Sequence, residues 1–304
     1  MQINDKPFSI YDFLGYLIPG IFGFYAFVFL YNYAKDGTLS ISIFANPEFT
    51  EEKIISVILF YILGHILSFF SSMSVEKYSV WTLGYPSEYL FIKNSEKGFY
   101  KNSCSYDEAH KYGSIFRSIA RVLIRTIVFI ILLPIGIGDL ISRKVFRLHD
   151  IYARAFDDTL LEIIEANNKK IIKNFSEKKE SDTTGDTFRL IYHYAIEHSS
   201  NHINKMQNYV ALYGFTRTLC FIGCLLFWEW FILNSNNFIT IQRCMSSGIY
   251  ISMNFKNCLV LFVIFFLTFF LYWDFNKFYR KFSMEAYLGA VVSYNKEKEI
   301  KFVI

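Results

Sequence analysis

Charge is scarce in this 304-residue chain: Asp, Glu, Lys and Arg together make up 19% of it, against about a quarter in soluble domains. Glycine and proline are sparse too, at 15 and 5 residues, which excludes a collagen-like repeat. Five cysteines are too few for a disulfide-dense secreted module. A hydrophobic fraction of 53% excludes an intrinsically disordered chain. No Ser/His/Asp or Cys/His triad can be assigned and no glycine-rich phosphate loop appears. The sequence therefore reads as a protein that is not an enzyme and that calls for no cofactor or metal. No repeat with a period of tens of residues is visible.

Long apolar stretches are what it does have. Four windows near the length that crosses a hydrocarbon core hold few or no charges: Tyr11–Asn32, Ile54–Met73, Phe215–Leu233 and Cys258–Trp273. A fifth, Thr126–Gly138, has only 13 residues. Basic residues flank it on both sides, Arg117, Arg121 and Arg125 before and Arg143, Lys144 and Arg147 after. A span there would put one cluster outside, against the positive-inside tendency. Pro134, Gly136 and Gly138 also interrupt its second half, so it reads as an interfacial helix near 115–141 that dips into the inner leaflet.

The expected fold is an all-α integral membrane protein with four transmembrane helices and a helical cytoplasmic domain inserted between spans two and three. Its parts are an N-terminal transmembrane hairpin at 1–73, the insert at 74–206, a C-terminal hairpin at 207–276 with an outer loop at 234–257, and a cytoplasmic tail at 277–304. Lys277, Arg280 and Lys281 directly follow the fourth span, and 74–206 holds 19 of the 31 Lys and Arg residues. Both termini are therefore expected in the cytoplasm, beneath a bacterial inner membrane. Within the insert, Ser105 and Glu108 match a capping box, Leu148 to Ile171 carry apolar residues at helical spacing, and Ser176–Thr187 reads as a polar loop. From Phe188 no Pro or Gly intervenes until Gly214, so one helix is expected to run unbroken into the third span.

Several residues invite a chemical reading. Arg117, Arg121 and Arg125 share one helix face, either as a binding stripe for an anionic ligand or as side chains snorkelling to lipid phosphates. His65 lies near the middle of the second span, where an ionisable group is a pore or gating candidate. Arg217 and Glu229, near the two ends of the third span, are either further candidates or interfacial anchors. Gly15, Pro19 and Gly23 recur every four residues, as do Gly64, Ser68 and Ser72. That spacing suits a gating kink at an oligomer seam or close packing within one protomer. His198 and His202 lack the His-Glu-x-x-His order of a zinc site. Cys244 and Cys258 are a disulfide candidate, stapling a hairpin whose strands fall in Phe238–Arg243 and Ile249–Phe255.

The stretch Phe8-Ser-Ile-Tyr-Asp-Phe-Leu-Gly-Tyr-Leu-Ile-Pro-Gly20 resembles the opening of small bacterial membrane proteins from anti-phage defence islands. The four-span plan with one cytoplasmic insert is similar, at class level, to the pore-forming effectors of Hailong systems. That resemblance implies an effector that assembles, opens and depolarises the membrane when a restraint is lost. It also implies a nucleotide or oligonucleotide ligand made by a partner enzyme. The expected function is an oligomeric inner-membrane effector, in contact with lipid, that forms or gates an ion-conducting pore. The alternative is a membrane-anchored scaffold that recruits a cytosolic defence partner without a pore.

Overall fold

The computed structural model describes residues 12–36, 50–91, 99, 114–146, 154–175, 187–235, 239–244, 248–253 and 255–303. The expected capping box at Ser105 and the polar segment 176–186 lie outside these residues. Helices dominate. In chain order they are α1 (Ile18–Asp36), α2 (Thr50–Ser71), α3 (Lys77–Leu83), α4 (Pro86–Tyr89), α5 (Ser114–Ile131), α6 (Leu133–Ile141), α7 (Asp158–Phe175), α8 (Thr187–His198) and α9 (Ser200–Leu233). Strands β1 (Ile239–Cys244) and β2 (Gly248–Met253) then form an antiparallel hairpin, and α10 (Phe255–Val303) closes the described chain. Among the described residues, five-residue π-helical segments at Phe13–Leu17, Ser72–Glu76 and Ser142–Phe146 adjoin α1, α2 and α6.

Among the described residues four helices are long and apolar enough to cross a membrane: Phe13–Lys35, Ile54–Tyr89, His202–Leu233 and Phe255–Lys296. Each overlaps one of the four expected windows; the first starts two residues later than Tyr11 and ends beyond Asn32, and the other three contain their windows and extend beyond them. The third is the most enclosed, with 56% of its apolar window buried against 22–28% in the other three. Among the described residues nothing covers the remainder of those apolar faces, as suits helices whose outer solvent is hydrocarbon.

The chain packs as two compact units. The first takes in 1–78, 104–147 and 214–273, and so includes the bent segment that the sequence assigned to the insert. Here α5 and α6 meet at 90°, forming a broken span or a re-entrant loop. The break falls at Leu132, two residues before Pro134, which cannot donate a backbone hydrogen bond to Ile130. Trp228 answers the deficit: its indole N–H donates to the carbonyls of Ile130 and Ile131, each at 3.1 Å. Pro19 meets the same problem differently. The π turn Phe13–Leu17 precedes it, with the Ile18 N–H reaching back to the Phe13 carbonyl, so the missing bond to Gly15 falls where the ladder is already shifted.

The second unit takes in 79–103, 148–213 and 274–304. Its core joins Leu90, Phe156, Ile164, Ile171, Ile191 and Tyr287, all buried. Residues 277–303, expected within a tail, are instead the far part of α10, and Ala286, Tyr287 and Ala290 are buried in this core. Gly84, with φ of 89°, ends α3 in the left-handed conformation that glycine adopts without strain, and Pro86 then starts α4. The single helix expected from Phe188 is broken at Ser199. The Ser199 N–H still bonds the Ala195 carbonyl, while its own carbonyl accepts from His202 and Ile203, so one serine ends α8 and begins α9.

Candidate functional site

Within the first unit, α2 places His65 eleven residues from Ile54, about 16 Å along the helix and so near mid-depth of a hydrocarbon core. Its ring is exposed on a face it shares with Ile58, Leu59, Ile62, Ile66 and Phe69. Two tyrosines hold it. Tyr16 stacks on the imidazole at 3.7 Å between centroids, and Tyr61, one turn earlier on α2, meets it edge-on at 4.5 Å. Its nitrogens make no hydrogen bond among the described residues. This is an anchored imidazole with unused polar atoms, facing outward from the protomer.

A second polar centre lies inside the same unit. Arg217, on α9, pairs with Glu76 at the end of the π segment after α2. Its Nε donates to Ser71 Oγ at 3.2 Å and its terminal nitrogen to Ser68 Oγ at 3.4 Å. Arg217 therefore does not act as a free interfacial anchor. Close by in sequence, the Tyr78 hydroxyl donates to Asp139 Oδ2 at 2.9 Å, and Arg143 donates to the same oxygen. Asp139 is fully buried, so both donors are needed to offset its desolvation. Tyr78→Phe removes one hydrogen bond to a buried charge and is expected to cost about 2 kcal/mol. Thermal unfolding of the purified protein in mild detergent checks this, and an unchanged transition refutes it.

The remaining expected residues separate. Gly15, in the π segment before α1, and Pro19, at the start of α1, are buried, and Gly23 faces Leu67 and Ile222 of the same protomer. Glu229 is half-exposed, with one carboxylate oxygen buried and unpartnered among the described residues. Arg117, Arg121 and Arg125 all lie on α5, with Arg121 and Arg125 half-buried. His198 and His202 engage different groups: the first stacks on Tyr194, and the second meets Glu285 at 2.6 Å.

The disulfide expectation is corrected: Cys258 is a free thiol. The hairpin register explains why. Cys244 pairs with Gly248 at the tip, whereas Cys258 follows the base pair Ile239–Met253 into the first turn of α10. Five strand residues, about 17 Å, separate tip from base, far beyond the reach of an S–S bond.

Sequence reasoning missed Glu76, Ser71 and the Tyr78–Asp139–Arg143 cluster, because the Glu76–Arg217, Ser71–Arg217 and Tyr78–Asp139 contacts join residues distant in the chain. Only Asp139, a lone carboxylate after an apolar run, carried a visible signal. The architecture is predominantly helical and, among the described residues, has four helices long and apolar enough to cross a membrane, or five if the bent pair is counted as one span. No protein family, curated protein or solved structure matches this chain.

Proposed function

We propose that this chain is a self-assembling effector that forms or gates an ion-conducting pore and depolarises the bacterial inner membrane. A ligand or partner at the second unit would control it. The observation that carries this reading is His65, an imidazole halfway along an apolar span, exposed on its outer face with no hydrogen bond among the described residues. In hydrocarbon a polar group needs a partner or water. An ionisable group at that depth marks a conduction path or an interface by default. Repeating the chain around an axis meets the need, because each His65 then turns towards a neighbouring copy or a hydrated lumen. The basic residues Lys277, Arg280 and Lys281 support cytoplasmic termini. The likeness of residues 8–20 to defence-island proteins supports an anti-phage role, with a nucleotide or oligonucleotide as controlling ligand.

His65→Phe keeps the ring between Tyr16 and Tyr61 and deletes only the nitrogens. Expression in bacteria with a potential-sensitive dye is expected to show depolarisation by the unaltered protein. At equal membrane abundance, the variant should depolarise at least tenfold less. An unaltered protein that leaves the potential intact favours the scaffold reading, and an unimpaired His65→Phe removes His65 from the pore.

A further inference from the structure

The second unit contains an open cavity of about 810 Å³, within the size range of small-molecule sites. Its walls are the stretch 154–157, Leu160 at the start of α7, and Arg280 and Met284 on α10. The stretch is fixed from behind, because Phe156 is buried and its N–H donates to the Leu90 carbonyl at 2.9 Å. Arg280 is fixed too: its Nε donates to the Arg154 carbonyl at 2.7 Å. That bond orients the guanidinium while leaving its two terminal amino groups with no hydrogen bond or ion pair among the described residues. The buried Tyr89 hydroxyl has no hydrogen-bond partner among the described residues, and both it and the Asp157 carboxylate lie within electrostatic reach of Arg280.

Arg154 and Asp157 complete the wall, paired at 2.9 Å with side chains 66% and 76% exposed. An ion pair that exposed holds its partners weakly, so Arg154 can exchange the carboxylate for a stronger anion at small cost. The cavity also lies at the N-terminal end of the 18-residue α7, where the backbone dipole favours negative charge. Leu160, Met284 and Ala155 supply an apolar floor beside the two arginines.

We infer that this cavity binds a phosphorylated ligand, its phosphate held bidentately by the Arg280 fork and from the side by Arg154. A planar, pre-oriented guanidinium with two unused donor groups matches phosphate geometry in a way an ammonium cannot. The apolar floor takes the organic part of the ligand. This deepens the proposed ligand control, and only its consequence for gating rests on that reading. The phosphate has two sources, a soluble nucleotide or a lipid headgroup, and the experiment separates them.

Full-length protein in phosphate-free detergent is titrated by thermophoresis with ATP and, separately, with dihexanoyl phosphatidic acid below its micelle concentration. Saturable binding of at least one probe is expected. Arg280→Met, which keeps the apolar stem, should weaken it at least tenfold, and Arg280→Lys, which keeps charge and loses the fork, should weaken it several-fold. Arg154→Met is the second route should either Arg280 variant fail to fold, and it too should weaken binding. Binding of ATP alone assigns a soluble ligand, and binding of phosphatidic acid alone assigns a lipid; either supports the site. No binding of either probe overturns it, as does binding that well-folded variants leave unchanged. Because the readout is binding, a protein that never depolarises a membrane leaves this result standing.

Discussion

Glu76→Leu is expected to destabilise the protein by about 3 kcal/mol, because it strands a guanidinium that cannot give up its proton. Arg217 has a side chain only 10% exposed and Glu76 one 26% exposed, so water reaches the pair from one side alone. Ser68 and Ser71 contribute neutral dipoles that cannot replace the carboxylate. Arg217→Met should be milder, since the residue it leaves alone, Glu76, has the more exposed side chain of the two and loses less on parting from its partner. The double variant Glu76→Leu, Arg217→Met should recover most of the loss, as isosteric apolar replacement of buried ion pairs does elsewhere. Melting in mild detergent measures all three. At roughly 2–4 °C per kcal/mol, the first should fall by about 6–12 °C. Equal losses in both single variants would sink the argument, because they would show a hydrated pair whose members are interchangeable.

That pair also shows where the sequence stopped being legible. On an unbroken α-helix Glu76 lies about 140° from Ser71 and about 80° from Ser68, so helical periodicity assigns it to another face. The π segment Ser72–Glu76 absorbs about one extra residue and brings Glu76 to within about 40° of Ser71 and about 20° of Ser68. Nothing in the residues Ser-Met-Ser-Val-Glu announces such a turn. Arg217 looked like an interfacial anchor for the same reason: its partner lies 141 residues away, and spacing arguments reach only about one turn. The spans themselves were legible because an apolar run near 20 residues has few other uses. Their ends were not, because α9 and α10 continue as helices into sequence whose charge marks only where the apolar run stops. Pro134 flagged the break after α5, but not that Trp228 would supply the donor.

The cavity at Arg280 was hidden for a related reason. In the sequence Arg280 is one of three basic residues after the fourth span, which bears on orientation alone. Its fixed geometry depends on a carbonyl 126 residues earlier. The stripe Arg117, Arg121 and Arg125, by contrast, follows directly from sequence spacing, and α5 places all three on one helix as expected.

Gly64→Ala is expected to be at least as damaging, and here the sign alone discriminates. In a free helix this change is favourable by about 1 kcal/mol, because alanine has the higher helix propensity. In this protein α2 crosses the N-terminal helical segment with backbone against backbone. A Cβ at Gly64 would lie 1.8 Å from the Tyr16 carbonyl oxygen, and one at Gly20 would lie 1.9 Å from that of Phe60. No rotamer change relieves a clash with a carbonyl, so the two helices must move apart along the crossing. Their separation also pulls Tyr16 off His65, since that stack is set at the same level. Overpacking of ordinary cores costs about 1–3 kcal/mol, and a clash between two backbones belongs at or above the top of that range. Gly23→Ala is the internal control: its Cβ would meet Leu67 Cδ1 at 3.1 Å and Ile222 Cδ1 at 3.4 Å, flexible side-chain ends that can give way. The expected order of melting temperatures in detergent is therefore Gly23→Ala close to the unaltered protein, with Gly20→Ala and Gly64→Ala well below it. Should Gly64→Ala melt higher than the unaltered protein, propensity has won. The first two spans would then not be in backbone contact, and the small residues of Gly15, Pro19 and Gly23 would have to be sought at a seam between copies.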